Sequence, residues 1–177
     1  MWTLLPCLVG LAHAEPVRID PLRIDVGVGA IIGLPQVDAG WVYSLDPKWT
    51  VDDHVVAGLH LEKSHFFSSG EGDDSHFEVH VLQPTVELYA FDGDIRPFLG
   101  LGIGLYKVQE GGFLSVYAAD RDKDLVWGFG AQVGIELGRY HLSGTFHLLQ
   151  EPARVAEDEL RSYVSIDHGV RFGGNRD

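Results

Sequence analysis

A strict two-residue alternation is the feature that most constrains how this chain can fold. From Leu125 to Leu137 seven apolar side chains occupy every second position, while glycine, glutamine and glutamate take most of the positions between them. Successive side chains of a β-strand point to opposite faces, so a period of two predicts strands with one apolar and one polar face. The same pattern recurs at Leu22–Gly33 and Pro97–Lys107.

The glycines on the polar face favour a closed barrel over a soluble sandwich. Glycine weakens a strand unless the space beside it is restricted, and these three segments each carry several glycines on the polar side. The interior of a narrow barrel is crowded, and small residues there leave room for larger polar neighbours. We therefore place the glycine-bearing face inside a barrel and the apolar face outside, against lipid.

Eight alternating segments predict an all-β protein, an eight-stranded antiparallel up-and-down transmembrane β-barrel. Each segment has roughly the 9–11 residues that a tilted strand needs to cross a bilayer. Mostly tight turns follow the second, fourth and sixth segments, the first of them at Asp46–Trp49, and longer acidic segments follow the third, fifth and seventh. This asymmetry is typical of bacterial outer-membrane barrels. The predicted strands are Leu22–Gly33, Val37–Leu45, His54–Phe67, His76–Ala90, Arg96–Gln109, Leu125–Leu137, Tyr140–Gln150 and Ser162–Phe172.

The amino terminus resembles an export signal. The apolar run Leu4–Leu11 ends at Ala12-His13-Ala14, an A-x-A cleavage site. We therefore predict a signal peptide at residues 1–14 and a single barrel domain at residues 15–177. Cleavage would remove the only cysteine, so backbone hydrogen bonds and packing must hold the mature fold.

Charge excludes nucleic acid as a partner. The 177-residue chain has a formal net charge of −13, and its basic residues are scattered. Phosphate recognition needs a basic face, which this distribution does not supply.

Two predicted strands interrupt the alternation. In the fourth strand the apolar phase that begins at Phe77 would later place Glu87 in hydrocarbon, so we predict a β-bulge at Val81-Leu82 that restores an apolar outer face. In the eighth strand His168 falls on the lipid side for no reason that the sequence supplies. Aromatic rings are expected at both membrane interfaces. The predicted outer girdle is Trp41, Phe67, Phe77 and Trp127, and the predicted inner girdle is Leu45, Trp49, Phe91, Tyr140 and Phe172.

The Gly-apolar repetition also carries a resemblance to known proteins. Arg96–Tyr106 and Trp127–Leu137 resemble strands of the small bacterial outer-membrane β-barrel families, namely the transmembrane domain of outer-membrane protein A and the outer-membrane protein W group. Phe172 resembles the C-terminal aromatic signal that their assembly machinery recognises. The resemblance implies a Gram-negative outer-membrane location, contact with that machinery, and a role that is structural, in surface interaction, or in minor porin-like passage of small molecules.

Ionisable side chains concentrate on the predicted inner face. Buried charges must be paired or neutralised, so the simplest role of these groups is a polar network that fills the barrel. The predicted lumen network is Asp25, His54, His60, Glu62, Glu78, His80, Glu87, Glu136, His141, His147, Asp167 and Arg171, beside Arg23.

A metal site is a narrower alternative at His76–His80. His76, Glu78 and His80 share one strand face, and hairpin pairing would bring Glu62 or Ser64 alongside. Imidazole and carboxylate suit zinc or copper. Because the spacing matches no recognised metal motif, we predict no metal and no cofactor.

Two other functions are open alternatives, a lipid A-modifying enzyme and a soluble ligand-carrying β-barrel. The lipid A deacylase family uses a His-x-Ser-Asn element, and the closest stretch, Phe146–Gln150, has leucine and glutamine in place of serine and asparagine. His141 and Ser143 share a face that we place inward, away from acyl chains. A carrier needs an apolar interior, which the predicted network contradicts. We expect a monomer without enzymatic activity whose partners are outer-membrane lipid and lipopolysaccharide, with divalent cations as bridges to its acidic loops.

Overall fold

A computed structural model of the chain describes residues 22–34, 39–67, 76–91, 93–110, 124–155 and 158–174. These residues form eight antiparallel strands in one closed barrel, in which each strand pairs with its sequence neighbours and the first pairs with the last. The strands are β1 Arg23–Leu34, β2 Ala39–Thr50, β3 Val55–Phe67, β4 His76–Tyr89, β5 Ile95–Glu110, β6 Asp124–Leu137, β7 Tyr140–Val155 and β8 Asp158–Phe172. The predicted fold class is confirmed. The predicted signal at residues 1–14 lies outside the described residues.

Helices do not contribute to the described fold. Among the ranges given above, the chain forms no helix long and apolar enough to cross a membrane.

Three tight connections lie at one end of the barrel, which we name the turn end. Residues 51–54 join β2 to β3, Gly138-Arg139 joins β6 to β7, and the chain passes from Tyr89 at the end of β4 to Ile95 at the start of β5. Gly138 has a φ of 61° in the two-residue turn between the paired Leu137 and Tyr140. Glycine adopts this φ without steric cost, which explains the residue type at this turn. We name the opposite end the loop end.

Two predicted boundaries are wrong. β2 continues to Thr50, so Asp46–Trp49 is strand rather than turn. β7 and β8 extend through most of the predicted loop Glu151–Arg161, with a register shift between Leu148 and Ala153. At Asp46–Trp49 backbone pairing with β1 overrides residues whose local preference is for a turn. In β7 and β8 the ladder continues past Pro152 to the pair Val155–Asp158.

Apolar side chains cover the outer wall of the barrel. Leu99, Leu101, Phe129 and Val133 are 49–69 % exposed. Leu99 lies beside Val133 across the β5–β6 ladder, and the pattern repeats along both strands. The predicted sidedness, apolar outside and polar inside, is therefore confirmed in these strands. His168 is also on the outer wall and exposed, so the predicted placement of this residue holds.

β4 keeps one phase along its whole length. β3 and β4 pair residue by residue from Val55–Leu88 to Phe67–His76, so the predicted bulge at Val81-Leu82 is wrong. Phe77 and Val79 are buried inside the barrel, and the girdle position predicted for Phe77 is wrong as well. The prediction failed because it assumed that the outer face of β4 is apolar along the whole strand. Near the loop end the apolar residues of β4 face inward instead.

Inward glycines leave room for large partners. A Cβ at Gly104 would lie 2.7 Å from Gln83 Cβ and 2.8 Å from Gln83 Cα. A Cβ at Gly144, on the outer wall, would have only the Ser165 carbonyl oxygen nearby, at 3.9 Å. Restricted space therefore explains the inward glycine at position 104, as the sequence pattern predicts.

Gly104→Ala should therefore destabilise the barrel, and Gly144→Ala should not. Overpacking a filled interior costs about 1–3 kcal/mol, whereas an outward methyl changes stability by roughly 0.5 kcal/mol or less. Urea unfolding of the refolded protein in detergent, followed by tryptophan fluorescence, measures both. Equal urea midpoints for Gly104→Ala and Gly144→Ala would contradict the role that we assign to the restricted space beside Gly104.

Candidate functional site

The inward side chains form three tiers along the barrel axis. An ionic tier lies at the turn end, a histidine tier lies in the middle, and an apolar plug lies at the loop end. The ionic tier is Arg23, Asp25, Lys48, Glu87, Tyr89, Arg96, Glu136 and Arg171. The histidine tier is Asp46, His60, Glu62, His141, His147 and Asp167. The apolar plug is Ile31, Val42, Phe66, Phe77, Val79, Val81, Tyr106, Val108, Leu149, Leu160 and Tyr163.

Lys48 connects two carboxylates of the ionic tier. Its Nζ lies 2.7 Å from Glu87 Oε1 and 3.1 Å from Asp25 Oδ2, and its side chain is 4 % exposed. Arg171 reaches Asp25 from the opposite side, with Nε 3.3 Å from Oδ1. Since a buried charge is stable only when paired, each of these groups depends on the others.

Glu136 is the second anchor of the ionic tier. Arg23 Nη2 lies 2.8 Å from Glu136 Oε1, and Arg171 pairs with the same oxygen. The Tyr89 hydroxyl donates to this carboxylate and accepts a 2.7 Å hydrogen bond from Arg23. The Arg96 guanidinium stacks on the Tyr89 ring at 4.1 Å. The tier is thus one connected network rather than a set of isolated pairs.

Glu62 is the centre of the histidine tier. Ser64 and Tyr163 donate hydrogen bonds to its Oε1 at 2.6 and 2.8 Å. Its Oε2 faces Nε2 of His60 at 3.3 Å and Nε2 of His147 at 3.4 Å. One carboxylate on β3 thereby contacts groups on β7 and β8 across the lumen.

A serine, a histidine and an aspartate also meet in this tier. Ser143 Oγ donates to Asp167 Oδ1 at 2.7 Å, and His141 Nε2 lies 3.4 Å from Asp167 Oδ2. In a hydrolytic triad the histidine stands between the serine and the acid so that it can take the hydroxyl proton. Here the aspartate stands in the middle, and all three side chains are buried inside the barrel. This geometry fits a structural network rather than nucleophilic catalysis.

The apolar plug fills the loop end of the lumen with stacked rings. Phe66 and Phe77 are nearly parallel at a centroid distance of 4.4 Å, and Tyr163 meets Phe66 edge-on at 5.6 Å. His147 stacks on Tyr163 at 4.2 Å, which joins the plug to the histidine tier. Every member of the plug is at most 7 % exposed.

A cavity of about 500 Å³ opens at the turn end. Its lining includes Arg96, Glu136, Arg139, Arg171 and Phe172. The ionic tier thus borders a cavity at the turn end whose charged lining consists of three arginines, Glu136 and Asp94.

The structure sorts the predicted lumen residues into two groups. Glu78 and His80 lie on the outer wall and His54 is exposed in the turn 51–54, so their predicted lumen positions are wrong. The remaining predicted residues point inward: Asp25, His60, Glu62, Glu87, Glu136, His141, His147, Asp167 and Arg171. The residues considered as metal ligands at His76–His80 lie on both sides of the barrel wall. Glu62 and Ser64 face inward, whereas Glu78 and His80 face outward. The side chain of His76 lies outside the described residues.

Sequence reasoning missed three inward charges, Asp46, Lys48 and Arg96. The first two fell in the segment predicted as a turn, although the alternation of Leu45 and Trp49 continues through them. Arg96 shares its phase with the inward Phe98 and Gly100. Strict counting by two along β2 and β5 would have found all three.

A polar patch occupies the outer wall near the loop end. Glu78 is its hub, with Lys63 Nζ and His65 Nδ1 each 3.1 Å and His80 Nε2 3.3 Å from its oxygens. Gln109 Nε2 donates to Glu78 Oε2 at 3.2 Å. We define the outer patch as Lys63, His65, Glu78, His80, Lys107 and Gln109. Lys107 belongs to it because it lies opposite His80 in the β4–β5 ladder.

A shallow groove of about 380 Å³ adjoins the outer patch. Tyr43, Leu45 and Leu61 supply apolar lining, and Lys63 and His80 supply its polar side. The rings of Trp41 and Tyr43 lie 5.6 and 6.4 Å from the His65 ring. Apolar surface, aromatic rings and basic groups therefore meet at one place outside the barrel.

Comparison with known proteins gives a match in fold alone. No family model and no curated protein sequence matches this chain. Neisserial surface protein A superposes with a TM-score of 0.59 at 10 % identity, covering 86 % of this chain and 95 % of that one. The N-terminal β-barrel domain of Pseudomonas aeruginosa OprF gives 0.49 at 8 % identity over 85 % and 97 % of the two chains. The outer-membrane enzyme PagL gives 0.47 at 12 % identity over 85 % and 99 %.

The fold is therefore that of the small eight-stranded outer-membrane barrels, as the resemblance of Arg96–Tyr106 and Trp127–Leu137 implies.

Lys48→Met should strongly destabilise the barrel because Asp25 and Glu87 lose a shared cation. Removing one partner of a buried ion pair costs about 3–5 kcal/mol. Lys63→Met is the matched control, since Lys63 is 44 % exposed on the outer wall and exposed pairs contribute about 0–1 kcal/mol. Urea unfolding in detergent measures both, and a Lys48→Met midpoint as high as that of Lys63→Met would contradict the network.

Proposed function

We propose that this chain is an integral outer-membrane β-barrel protein of a Gram-negative bacterium, with a structural or surface-interaction role. The observation that carries the proposal is the apolar outer wall, on which Leu99, Leu101, Phe129 and Val133 are half-exposed or more. Contiguous apolar surface of this kind is not stable in water and marks contact with lipid or protein. An export signal at residues 1–14 and assembly by the outer-membrane machinery belong to the same proposal.

Closure of the barrel supports a position within lipid. The ladder between β1 and β8 runs from Ile24–Phe172 to Leu34–Ser162, so the first and last strands satisfy each other's backbone groups. A bilayer core supplies no water to unpaired backbone groups, and only helices and closed barrels satisfy all of them internally.

The filled interior supports a plug rather than a wide pore. The ionic tier, the histidine tier and the apolar plug occupy successive levels of the lumen, and the plug residues are almost completely buried. An eight-stranded barrel encloses a space that side chains can fill or that can hold one small ligand, and here buried side chains fill it. We accordingly propose a monomeric wall protein without porin-like conductance.

A non-enzymatic role fits the placement of the nucleophilic groups. Ser143, His141 and Asp167 are inside the barrel and the aspartate lies between the other two. A lipid-modifying enzyme needs its nucleophile and base at a position that an acyl ester can reach.

The outer patch supports lipopolysaccharide as the partner. Lys63 and Lys107 outnumber the single acid Glu78, and the adjoining groove offers Tyr43 and Leu61 to an acyl chain. Basic groups attract phosphate, and an apolar groove beside them suits a phosphorylated lipid. The patch lies near the loop end, which we propose faces the outer leaflet because outer-membrane barrels have short periplasmic turns and longer extracellular loops.

Leu101→Arg tests the lipid-facing wall. Arginine on the lipid face costs about 2–4 kcal/mol at the bilayer midplane and about 0–1 kcal/mol near an interface. Leu101 is 69 % exposed in the middle of β5, and Ile95, 61 % exposed at the turn end of the same strand, is the matched control. Folding into liposomes, read from the gel mobility of unboiled samples, should fail or weaken for Leu101→Arg and persist for Ile95→Arg. Equal tolerance of both would mean that the wall faces water.

Lys63→Glu tests the outer patch. Reversal of this charge beside Glu78 should lower the amount of lipopolysaccharide retained by the purified barrel several-fold, because phosphate then meets two carboxylates. Arg139→Glu makes the same charge change at the turn end, on the exposed two-residue turn, and should leave retention unchanged. Equal retention by all three proteins would place the lipid elsewhere.

A further inference from the structure

Three metal-ligand atoms converge in the histidine tier, across the barrel lumen. Nε2 of His60, Oε2 of Glu62 and Nε2 of His147 all lie within 4.8 Å of one another, and the three residues are buried. The separations from the Glu62 oxygen are 3.3 Å to His60 and 3.4 Å to His147. Ser165 Oγ lies 3.2 Å from both the Glu62 oxygen and the His147 nitrogen.

We propose that these residues bind one divalent transition-metal ion of the zinc class. His60, Glu62 and His147 are the protein ligands, and the Ser165 hydroxyl or a water takes the fourth position. Two imidazoles and one carboxylate form a ligand set that zinc accepts in proteins. The site is independent of the membrane location proposed above.

The spacing of the ligand atoms is compatible with a tetrahedral ion. Zinc lies about 2.0–2.2 Å from nitrogen and oxygen ligands, so the corners of its tetrahedron are roughly 3.3–3.5 Å apart. The four separations around Glu62 Oε2 and His147 Nε2 are 3.2–3.4 Å. The other oxygen of the same carboxylate accepts short hydrogen bonds of 2.6 and 2.8 Å from Ser64 and Tyr163.

Each histidine is also held at its second ring nitrogen. Metal-bound histidines usually donate their other N–H to a carboxylate or another acceptor, which fixes the ring. His60 Nδ1 lies 2.7 Å from Asp46 Oδ1, and His147 Nδ1 lies 3.1 Å from the Tyr106 hydroxyl. Tyr106 in turn donates to Gln83 Oε1 at 3.3 Å. With both Nε2 atoms free of protons, every proton of this chain has an acceptor.

The His60 ring shows why a cation belongs here. Its two nitrogens face Asp46 and Glu62, and a carboxylate only accepts hydrogen bonds. A neutral ring would therefore turn an unprotonated nitrogen toward one carboxylate lone pair. A second ring proton or a metal ion removes that repulsion. The metal would in addition bind the lone pair of His147 Nε2, which otherwise has the Ser165 hydroxyl as its donor at 3.2 Å.

The bound ion would join opposite walls of the barrel. His60 and Glu62 lie on β3, and His147 lies on β7, four strands further around the closed sheet. Binding to the folded state alone raises its stability by mass action. Zinc should therefore raise the midpoint of thermal unfolding.

The experiment is refolding of the full mature chain in detergent with ZnSO₄, followed by removal of free metal with a chelator and elemental analysis. We expect about one zinc ion per chain in the wild type and at least roughly tenfold less in Glu62→Gln and His147→Gln. His141→Gln is the matched control, because His141 is buried in the same tier but bonds to Asp167. It should keep the wild-type zinc content. Gel mobility of unboiled samples shows which variants have folded.

Cobalt substitution of the wild type gives a second readout that does not depend on variant folding. Co²⁺ at a tetrahedral nitrogen–oxygen site gives visible absorption bands stronger than those of an octahedral ion, and zinc should displace them. Zinc far below one ion per chain in the wild type, equal loss in His141→Gln, or an octahedral cobalt spectrum would each overturn the proposal.

Discussion

A lumen bounded by only eight strands forces every inward side chain to find its partners among the other inward side chains. Glu136 satisfies this condition through Arg23, Arg171 and Tyr89, which come from three other strands. Gly104 contributes in another way, because the side chain that it lacks would collide with Gln83. The inward glycines and the paired charges therefore both follow from the limited space inside the barrel. In β5 and β6, where the polar positions and glycines face inward, the outward residues Leu99, Leu101, Phe129 and Val133 are all apolar.

Much of this architecture could be predicted from the sequence, because the alternation of apolar and polar residues is visible within a single segment and does not depend on which strand pairs with it. Leu99 and Val133 alternate with glycines and polar groups in their own segments, and this alternation alone assigns both to the outer wall, where they lie side by side. The even number of strands, the closed topology and the tight turn at Gly138 follow from equally local signals. Nine of the predicted lumen residues are inside for the same reason.

What could not be predicted depends on position along the barrel axis. Glu78 and His80 face outward because β4 keeps its phase up to the loop end, where the interior is apolar. Asp46 and Lys48 belong to β2 because pairing with β1 extends a segment whose own residues favour a turn. The meeting of His60, Glu62 and His147 depends on the register of strands far apart in sequence, and no local pattern encodes that register.

The apolar plug and the arginine-lined mouth make the described interior a cup with one opening. The Arg96 and Arg171 side chains border the cavity at the turn end, whereas stacked rings of Phe66, Phe77 and Tyr163 close the opposite side. With the loop end toward the cell exterior, as we propose, that cavity opens to the periplasm. The charged groups that border it would then meet the periplasmic fluid first, and abrupt changes in the medium outside the cell would reach them only after that compartment had changed.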